Sequence, residues 1–411
     1  MSPFYITITR ERPDLGLWKR FYRVASDKGR FWLDLAKRFR PNTLTARKGI
    51  WSTPWPMAVH PQLAMPTYDP DFKRTFGEVS DHRALEIRDL IRQGRRLALF
   101  YSGGIDSTVC AVAMLKNLSS EEMKEVTFCC NINSATENPV FFYRHLHNKV
   151  ALLDSTRTQY SDLIAMGYYP ITADTGDDIF GTEQATQFYF SYAQLVDQLR
   201  GPARAGLSAL QDDPGLMERP YKKFSDLLIP FLSPGFGFGA VAKTYSRDIG
   251  EWLYHKIVHN METQDVPIHS LHDFFWWIIF NLRYTHCALR GPLFYSSAEG
   301  VKAAITTYLI NWFNTPDYQR WSMANNNNGQ KICRPTATHY KWAARNYIYD
   351  FDHNDWYFKY KIKSVSLYGL LQNNYDAFRM MFALDSDYQL HWLSDAQVQH
   401  EFEGGLQAFQ G

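Results

Sequence analysis

Seven consecutive residues, Ser102-Gly103-Gly104-Ile105-Asp106-Ser107-Thr108, bring together three hydroxyls, two adjacent glycines and one carboxylate. They follow the short apolar run 97–101 and lead directly into a second apolar run. The first run reads as a buried parallel strand and the second as a helix. Glycine at the junction lets backbone approach a ligand where a Cβ would not fit. The start of a helix offers free N–H groups and a positive dipole end. With the hydroxyls as further donors, this set could hold phosphate. Asp106 cannot bind phosphate directly, because like charges repel. It fits as a ligand to a divalent cation that in turn binds the phosphates. A glycine turn capped by Asp and Ser is the plain alternative. No Gly-Lys-Ser/Thr follows at Walker A spacing.

A second acidic element is Asp174-Thr175-Gly176-Asp177-Asp178-Ile179-Phe180-Gly181-Thr182. Two adjacent carboxylates are costly unless a cation or a catalytic proton is involved. One can hold Mg²⁺ opposite Asp106; the other can accept a proton or position a cationic lysine or amine. Alone, the element reads equally as an acidic helix N-cap. Further on, Lys359, Lys361 and Lys363 alternate. On a strand they would share one face, as a solvated basic stripe or as cations near transferring phosphates. Lys361 is the first choice for that role and Lys359 the second.

Ser102-Gly103-Gly104-Ile105-Asp106-Ser107 resembles the PP-loop signature of the ATP pyrophosphatases, which cleave ATP to AMP and pyrophosphate. Gly176-Asp177-Asp178-Ile179-Phe180-Gly181 is similar to the Gly-Ala-Asp-Glu-x-Phe-Gly loop of asparagine synthetases and β-lactam synthetases. Thr175 replaces a family glycine, and Asp178 is one methylene shorter than the family's Glu. The order of segments agrees from about residue 90 to 365, with weaker likenesses at Trp312-Phe313-Asn314-Thr315, at Tyr340 to Arg345 and around Lys361.

The resemblance implies ATP and Mg²⁺ as cofactors. It places Ser102, Gly103, Gly104, Ile105, Asp106, Ser107, Thr108, Cys130, Asn131 and Gly176 at the nucleotide, and Asp106 and Asp177 on magnesium. Lys361 steadies charge on an acyl-adenylate and pyrophosphate, and Asp178 is a general base or a lysine partner. The implied activity is an amide-forming ligase that adenylates a small-molecule carboxylate and passes the acyl group to an amine. The family's N-terminal glutaminase, with its cysteine directly after Met1, is not expected here: Ser2 stands there, and only 101 residues precede the PP-loop. The nitrogen is therefore expected from free ammonia, from an amine on the substrate or from a nitrogen-donating partner subunit. Adenylation of a nucleic acid or nucleobase, and nucleotide binding without catalysis, are the alternatives. The CxxC of several tRNA-thiolating relatives is absent.

These residues need a scaffold. The pattern predicts a helix over 81–93, a strand over 97–101, a helix over 107–117, a strand over 125–130, helices over 140–148 and 161–166, and a strand over 169–173. Alternation of this kind predicts an α/β fold with a doubly wound parallel sheet, a Rossmann-like PP-loop ATPase core, and a helical C-terminal region. The expected segments are 1–85, basic and aromatic; 86–200, the nucleotide-binding core; and 201–411, a mainly helical substrate region.

Composition agrees with a globular chain: 411 residues, 45% hydrophobic, 21% charged and 16% aromatic. Five scattered cysteines without a CxxC pair suggest reduced thiols and a cytoplasmic protein, with no zinc site or disulfide framework. No signal-peptide pattern opens the chain. The apolar run Phe274-Phe275-Trp276-Trp277-Ile278-Ile279-Phe280 is too short for a bilayer and reads as a core helix, so no membrane contact is expected. Net charge is +2, but residues 1–50 hold twelve Lys/Arg against four Asp/Glu. That segment either contacts a polyanion or folds back on the acidic remainder of the chain.

Overall fold

The computed structural model describes residues 47, 64–155, 158, 160–181, 215–232, 247–284, 287, 308, 310–326, 329–331, 340–361, 382–384 and 390–392. The chain divides into two units, each discontinuous in sequence. One comprises Phe76–Ala173, Tyr295–Trp312 and Ala343–Gly411, and holds the sheet. The other comprises Met1–Thr75, Asp174–Phe294 and Phe313–Trp342.

The sheet unit is built on five parallel strands in the order β3-β2-β1-β4-β5. These are β1 Arg96–Phe100, β2 Val126–Cys130, β3 Ala151–Asp154, β4 Tyr168–Thr172 and β5 Ile310–Asn311. Every residue of β2 is buried, as are the three central residues of β1, which explains their continuous apolar character. Leu97 pairs with Val126 on one side and Tyr169 on the other. The strand order reverses at β1, the topological switch point where such sheets bind ligands beyond their carboxyl ends. The parallel α/β architecture thus agrees with the expectation from sequence.

Three of these strands are predicted by the sequence pattern; β3 and β5 are not. β3 is a half-exposed edge of four residues, and β5 has only two, paired to β4 through Ile171 and Ile310. Neither is long enough to carry a periodic signal. The helix expected over 81–93 runs Phe76–Arg92, because Phe76 and Val79 are also buried. It ends at Gly94, whose φ of +80° closes the turn and lets its N–H reach the Ile91 carbonyl. The helix expected over 140–148 becomes Pro139–Phe141 followed by a π turn, Phe142–Leu146. That turn carries Arg144 and His145 onto the buried carboxylate of Asp352.

In the other unit the apolar run forms the helix Leu271–Ile278, continued by a π turn Ile279–Arg283. Ser270 and Asp273 form a reciprocal capping box at its start. All eight helical residues are buried, and Trp276 stacks on Phe280 at 4.9 Å. The indole N–H groups find partners, as buried polar groups must: Trp277 donates to Asn260 Oδ1 at 2.7 Å and Trp276 to Ser322 Oγ at 2.8 Å. Among the described residues, no helix is long and apolar enough to cross a membrane.

Lys331 is buried over the Trp276 ring, with Nζ 3.9 Å from its centroid and 2.6 Å from Asn326 Oδ1. Burial pulls its pKa well below the usual lysine range, and Asp273 only partly opposes this. The unfolded chain then holds a proton that the folded chain lacks, at any pH between the depressed value and the ordinary lysine pKa of about 10.4. Stability therefore rises with pH across that window. Replacement of Lys331 by Met is expected to stabilise the fold at pH 7 by about 1 kcal/mol and to flatten that rise. Thermal melts from pH 6 to 10 check this; an unchanged slope in the variant would contradict it.

Candidate functional site

The glycine turn stands at the carboxyl end of β1, at the switch point of the sheet. Tyr101 N–H still bonds the Cys129 carbonyl at 2.9 Å, so the strand holds its register up to the turn. Gly103 then adopts φ +74°, open to glycine and strained for other residues. A Cβ there would lie 2.3 Å from the Ser134 carbonyl oxygen, so the position has neither the angle nor the space for a side chain. Gly104 N-caps the helix Ile105–Asn117 with no side-chain cap of its own. The hydroxyls organise the turn from within. Ser102 N–H donates to Ser107 Oγ at 3.1 Å, Gly104 N–H to Ser102 Oγ at 3.2 Å, and Ser107 Oγ to the Gly104 carbonyl at 3.2 Å. Thr108 is fully buried, and Ser102 is exposed.

Two side chains from the distant helix Asp355–Tyr360 and its C-cap complete this turn. Tyr357 Oη donates to the Gly103 carbonyl at 2.9 Å, across 254 residues of sequence. Burial pushes the Tyr357 hydroxyl well above the usual tyrosine range, so it stays protonated and can donate. Lys361, the C-cap, turns inward and forms an ion pair with Glu137. The Lys361 side chain is 2% exposed and that of Glu137 8%, so both charges are withdrawn from solvent. Glu137 ends the short helix Ile132–Glu137 that follows β2, and its Cβ is 3.0 Å from where a Cβ on Gly103 would be. The structure therefore brings the expected Lys361 to the glycine turn.

It also corrects the strand reading of the lysines. Residues 355–360 are helical, Lys359 is exposed and lies 3.7 Å from Asp355, and no shared face links it to Lys361. Lys363 lies outside the described residues. Cys130 is buried, its thiol pushed up to about 11 by burial and by Asp154. Asn131 caps the helix Ile132–Glu137 and bonds Ser155 Oγ at 3.1 Å, so its side chain is occupied by structure. Asp106 is half-buried in the first turn of the helix Ile105–Asn117. Burial, followed by the charge of Asp106, pushes the Cys110 thiol well above its usual range.

The second acidic element belongs to the other unit. Gly176–Phe180 is a single helical turn closed by Gly181 at φ +69°. A Cβ on Gly181 would meet Trp276 Cβ at 2.5 Å. The turn is pinned to the aromatic core, since Ser322 Oγ donates to the Ile179 carbonyl at 2.5 Å and His272 bonds the Phe180 carbonyl at 3.2 Å. Asp177 is partly exposed and pairs with Lys341 Nζ at 2.7 Å. Lys341 is buried and holds φ +55°, a strained angle for a residue with a side chain.

Asp178 and Thr175 are both fully buried. Thr175 hydrogen-bonds Tyr284, which gives a packing reason for a hydroxyl where the resembled family has glycine. The charge of Asp178 faces Arg47, whose pKa burial lowers to about 10 against the opposing pull of Tyr284 and Asp178. Arg47 lies over the Tyr284 ring at 3.8 Å and donates to the Phe280 carbonyl at 3.0 Å and to Gln319. This one described residue of the basic segment is therefore folded into its unit; residues 1–46 lie outside the described residues.

Among the described residues, no group of three or more His, Cys, Asp or Glu is placed to hold a metal ion alone. Magnesium carried by nucleotide phosphates needs only one or two carboxylates. In the sheet unit Asp106 is a hard oxygen donor in a first helical turn; within the other unit, Asp177 is one too. At the glycine turn Glu137 and Tyr357, and in the other unit Arg47, are residues that sequence reasoning missed; Lys341 lies in the Tyr340 to Arg345 likeness but was not singled out. For Glu137 the available signal was positional: it lies just beyond the carboxyl end of β2, where doubly wound sheets place ligand contacts.

Comparison with protein-family models gives no match, and neither the curated proteins nor the solved structures yield a significant match to this chain.

Replacing Gly103 by Ala is expected to cost at least about 2 kcal/mol, from the positive φ and the collision with Ser134. Thermal denaturation checks this; a variant as stable as the parent would contradict the described turn.

Proposed function

We propose that the chain is an ATP-dependent ligase that adenylates a small-molecule carboxylate and transfers the acyl group to an amine. The observation that supports it is the glycine turn at the switch point, with its left-handed Gly103, its internal hydroxyls and the helix start beyond it. Backbone N–H groups there suit the β- and γ-phosphates, which leave as pyrophosphate. In this reading Asp106 would hold a magnesium ion that neutralises phosphate charge, and the resemblance gives the same kind of role to Asp177 in its own unit. The substrate carboxylate oxygen attacks the α-phosphorus. The bond from that phosphorus to the bridging oxygen breaks, and its electron pair leaves with pyrophosphate. The amine nitrogen then attacks the acyl carbon, AMP departs with the bonding pair, and the amine proton passes to a base or to solvent. Lys361 contributes positive charge beside the turn as charge builds on the leaving pyrophosphate.

The burial of Asp178 favours the role of a fixed charge beside Arg47 over that of a base in contact with substrate. Lys341 keeps Asp177 compensated, so a metal ion held by Asp177 would have to displace that ammonium. ATP, Mg²⁺ and a panel of carboxylates are expected to give AMP and pyrophosphate, with Asp106→Ala lowering the rate at least about 100-fold. Release of ADP and phosphate instead would overturn the reading.

A further inference from the structure

A turn that binds anions tolerates a neighbouring carboxylate poorly, yet Glu137 stands against this one. Its Oε1 lies 3.4 Å from where a Cβ on Gly104 would be, and its Cβ 3.0 Å from the corresponding point on Gly103. These are the two glycines that the proposed function assigns to the departing pyrophosphate. Like charges so close, in a site largely withdrawn from water, repel strongly. Lys361 cancels that repulsion by pairing with Glu137, but the same pairing occupies its ammonium. The cation needed by the phosphates is thus held by an internal anion.

Resting on the ATP reading, we infer that Glu137 is an exchangeable counter-anion that sets the affinity and selectivity of the glycine turn for polyphosphate. In the nucleotide-free chain it keeps Lys361 charged, buried and beside the turn. A ligand takes over the ammonium only if it carries more negative charge than one carboxylate. Pyrophosphate and the β,γ-phosphates of ATP meet that condition, and the single phosphate of AMP meets it least. The pair therefore discriminates against AMP, the nucleotide product that must leave after the second step. Tyr357, one helical turn before Lys361, holds the Gly103 carbonyl and keeps the helix in place while the ammonium changes partner.

The inference fixes the sign of an effect that a purely structural ion pair would reverse. Calorimetric titration of the full chain with inorganic pyrophosphate, ATP·Mg²⁺ and AMP is the test. Glu137→Gln is expected to bind pyrophosphate about tenfold more tightly than the parent and to lose part of its preference for pyrophosphate over AMP. Lys361→Met, which leaves the carboxylate uncompensated, is expected to bind about tenfold more weakly. Because Glu137→Gln leaves a buried lysine without its charge partner, which opposes folding, the double variant Glu137→Gln/Lys361→Met is compared with Lys361→Met. The double variant is expected to bind more tightly. If it does not, or if a folded Glu137→Gln binds no better than the parent, the inference is overturned while the ATP reading stands. If neither the parent nor any variant binds ATP or pyrophosphate, both fall together.

Discussion

The backbone at Gly103 is the constraint from which the site in the sheet unit follows. Its left-handed φ turns the chain sharply off the end of β1. The Ser134 carbonyl occupies the space a side chain would need, and the Tyr357 hydroxyl holds its carbonyl from the other end of the sequence. Three segments that are remote in sequence are thereby locked to one peptide: the turn itself, the helix Ile132–Glu137 after β2, and the helix Asp355–Tyr360. Once they are locked, Glu137 and Lys361 have no other place for their charges than beside the turn. A buried pair of this kind is weak support for stability, because desolvation offsets most of the attraction. Its position beside the glycine turn is what the proposed phosphate chemistry would draw on instead.

The acidic loop of the other unit is held by a different device. Asp177 and Asp178 sit on one helical turn that cannot supply its own rigidity, since a single turn is far below the length at which helices stand alone. The aromatic helix Leu271–Ile278 supplies it. Trp276 blocks the space over Gly181 and donates to Ser322, which donates in turn to the Ile179 carbonyl. Arg47 then offsets the buried charge of Asp178, leaving Asp177 as the carboxylate that reaches solvent. The two carboxylates are adjacent in sequence and opposite in environment, and environment decides which of them can meet a ligand.

What the sequence reveals and what it hides divide along one physical line. The glycine turn is legible because its chemistry is local: hydroxyls, glycines and carboxylate lie within seven residues, and the strand before them is a continuous apolar run. The parallel sheet is legible for the same reason in β1, β2 and β4, whereas the edge strands β3 and β5 are too short to show a period. The partners are hidden because they act across the chain. Glu137 meets Lys361 over 224 residues and Arg47 meets the Phe280 carbonyl over 233. No local pattern marks either as special. Lys361 was identifiable from its place in a resemblance, but its alternation with Lys359 and Lys363 pointed to a strand. The Asn354 cap on Tyr357 N–H starts a helix there instead, and this turns Lys361 inward.

The proposed phosphate site consists of the peptide N–H groups of Gly103 to Ser107, which precede the first intrahelical bond, from Thr108 N–H to the Gly104 carbonyl. Amide ¹H–¹⁵N spectra of the labelled chain, titrated with α,β-methylene-ATP and Mg²⁺, test it directly, because this analogue cannot undergo the cleavage between the α- and β-phosphates. The account predicts that the largest saturable shifts fall on Gly103, Gly104, Ile105, Asp106 and Ser107. Saturable binding that leaves those amides unmoved, or no binding at millimolar analogue, would contradict it.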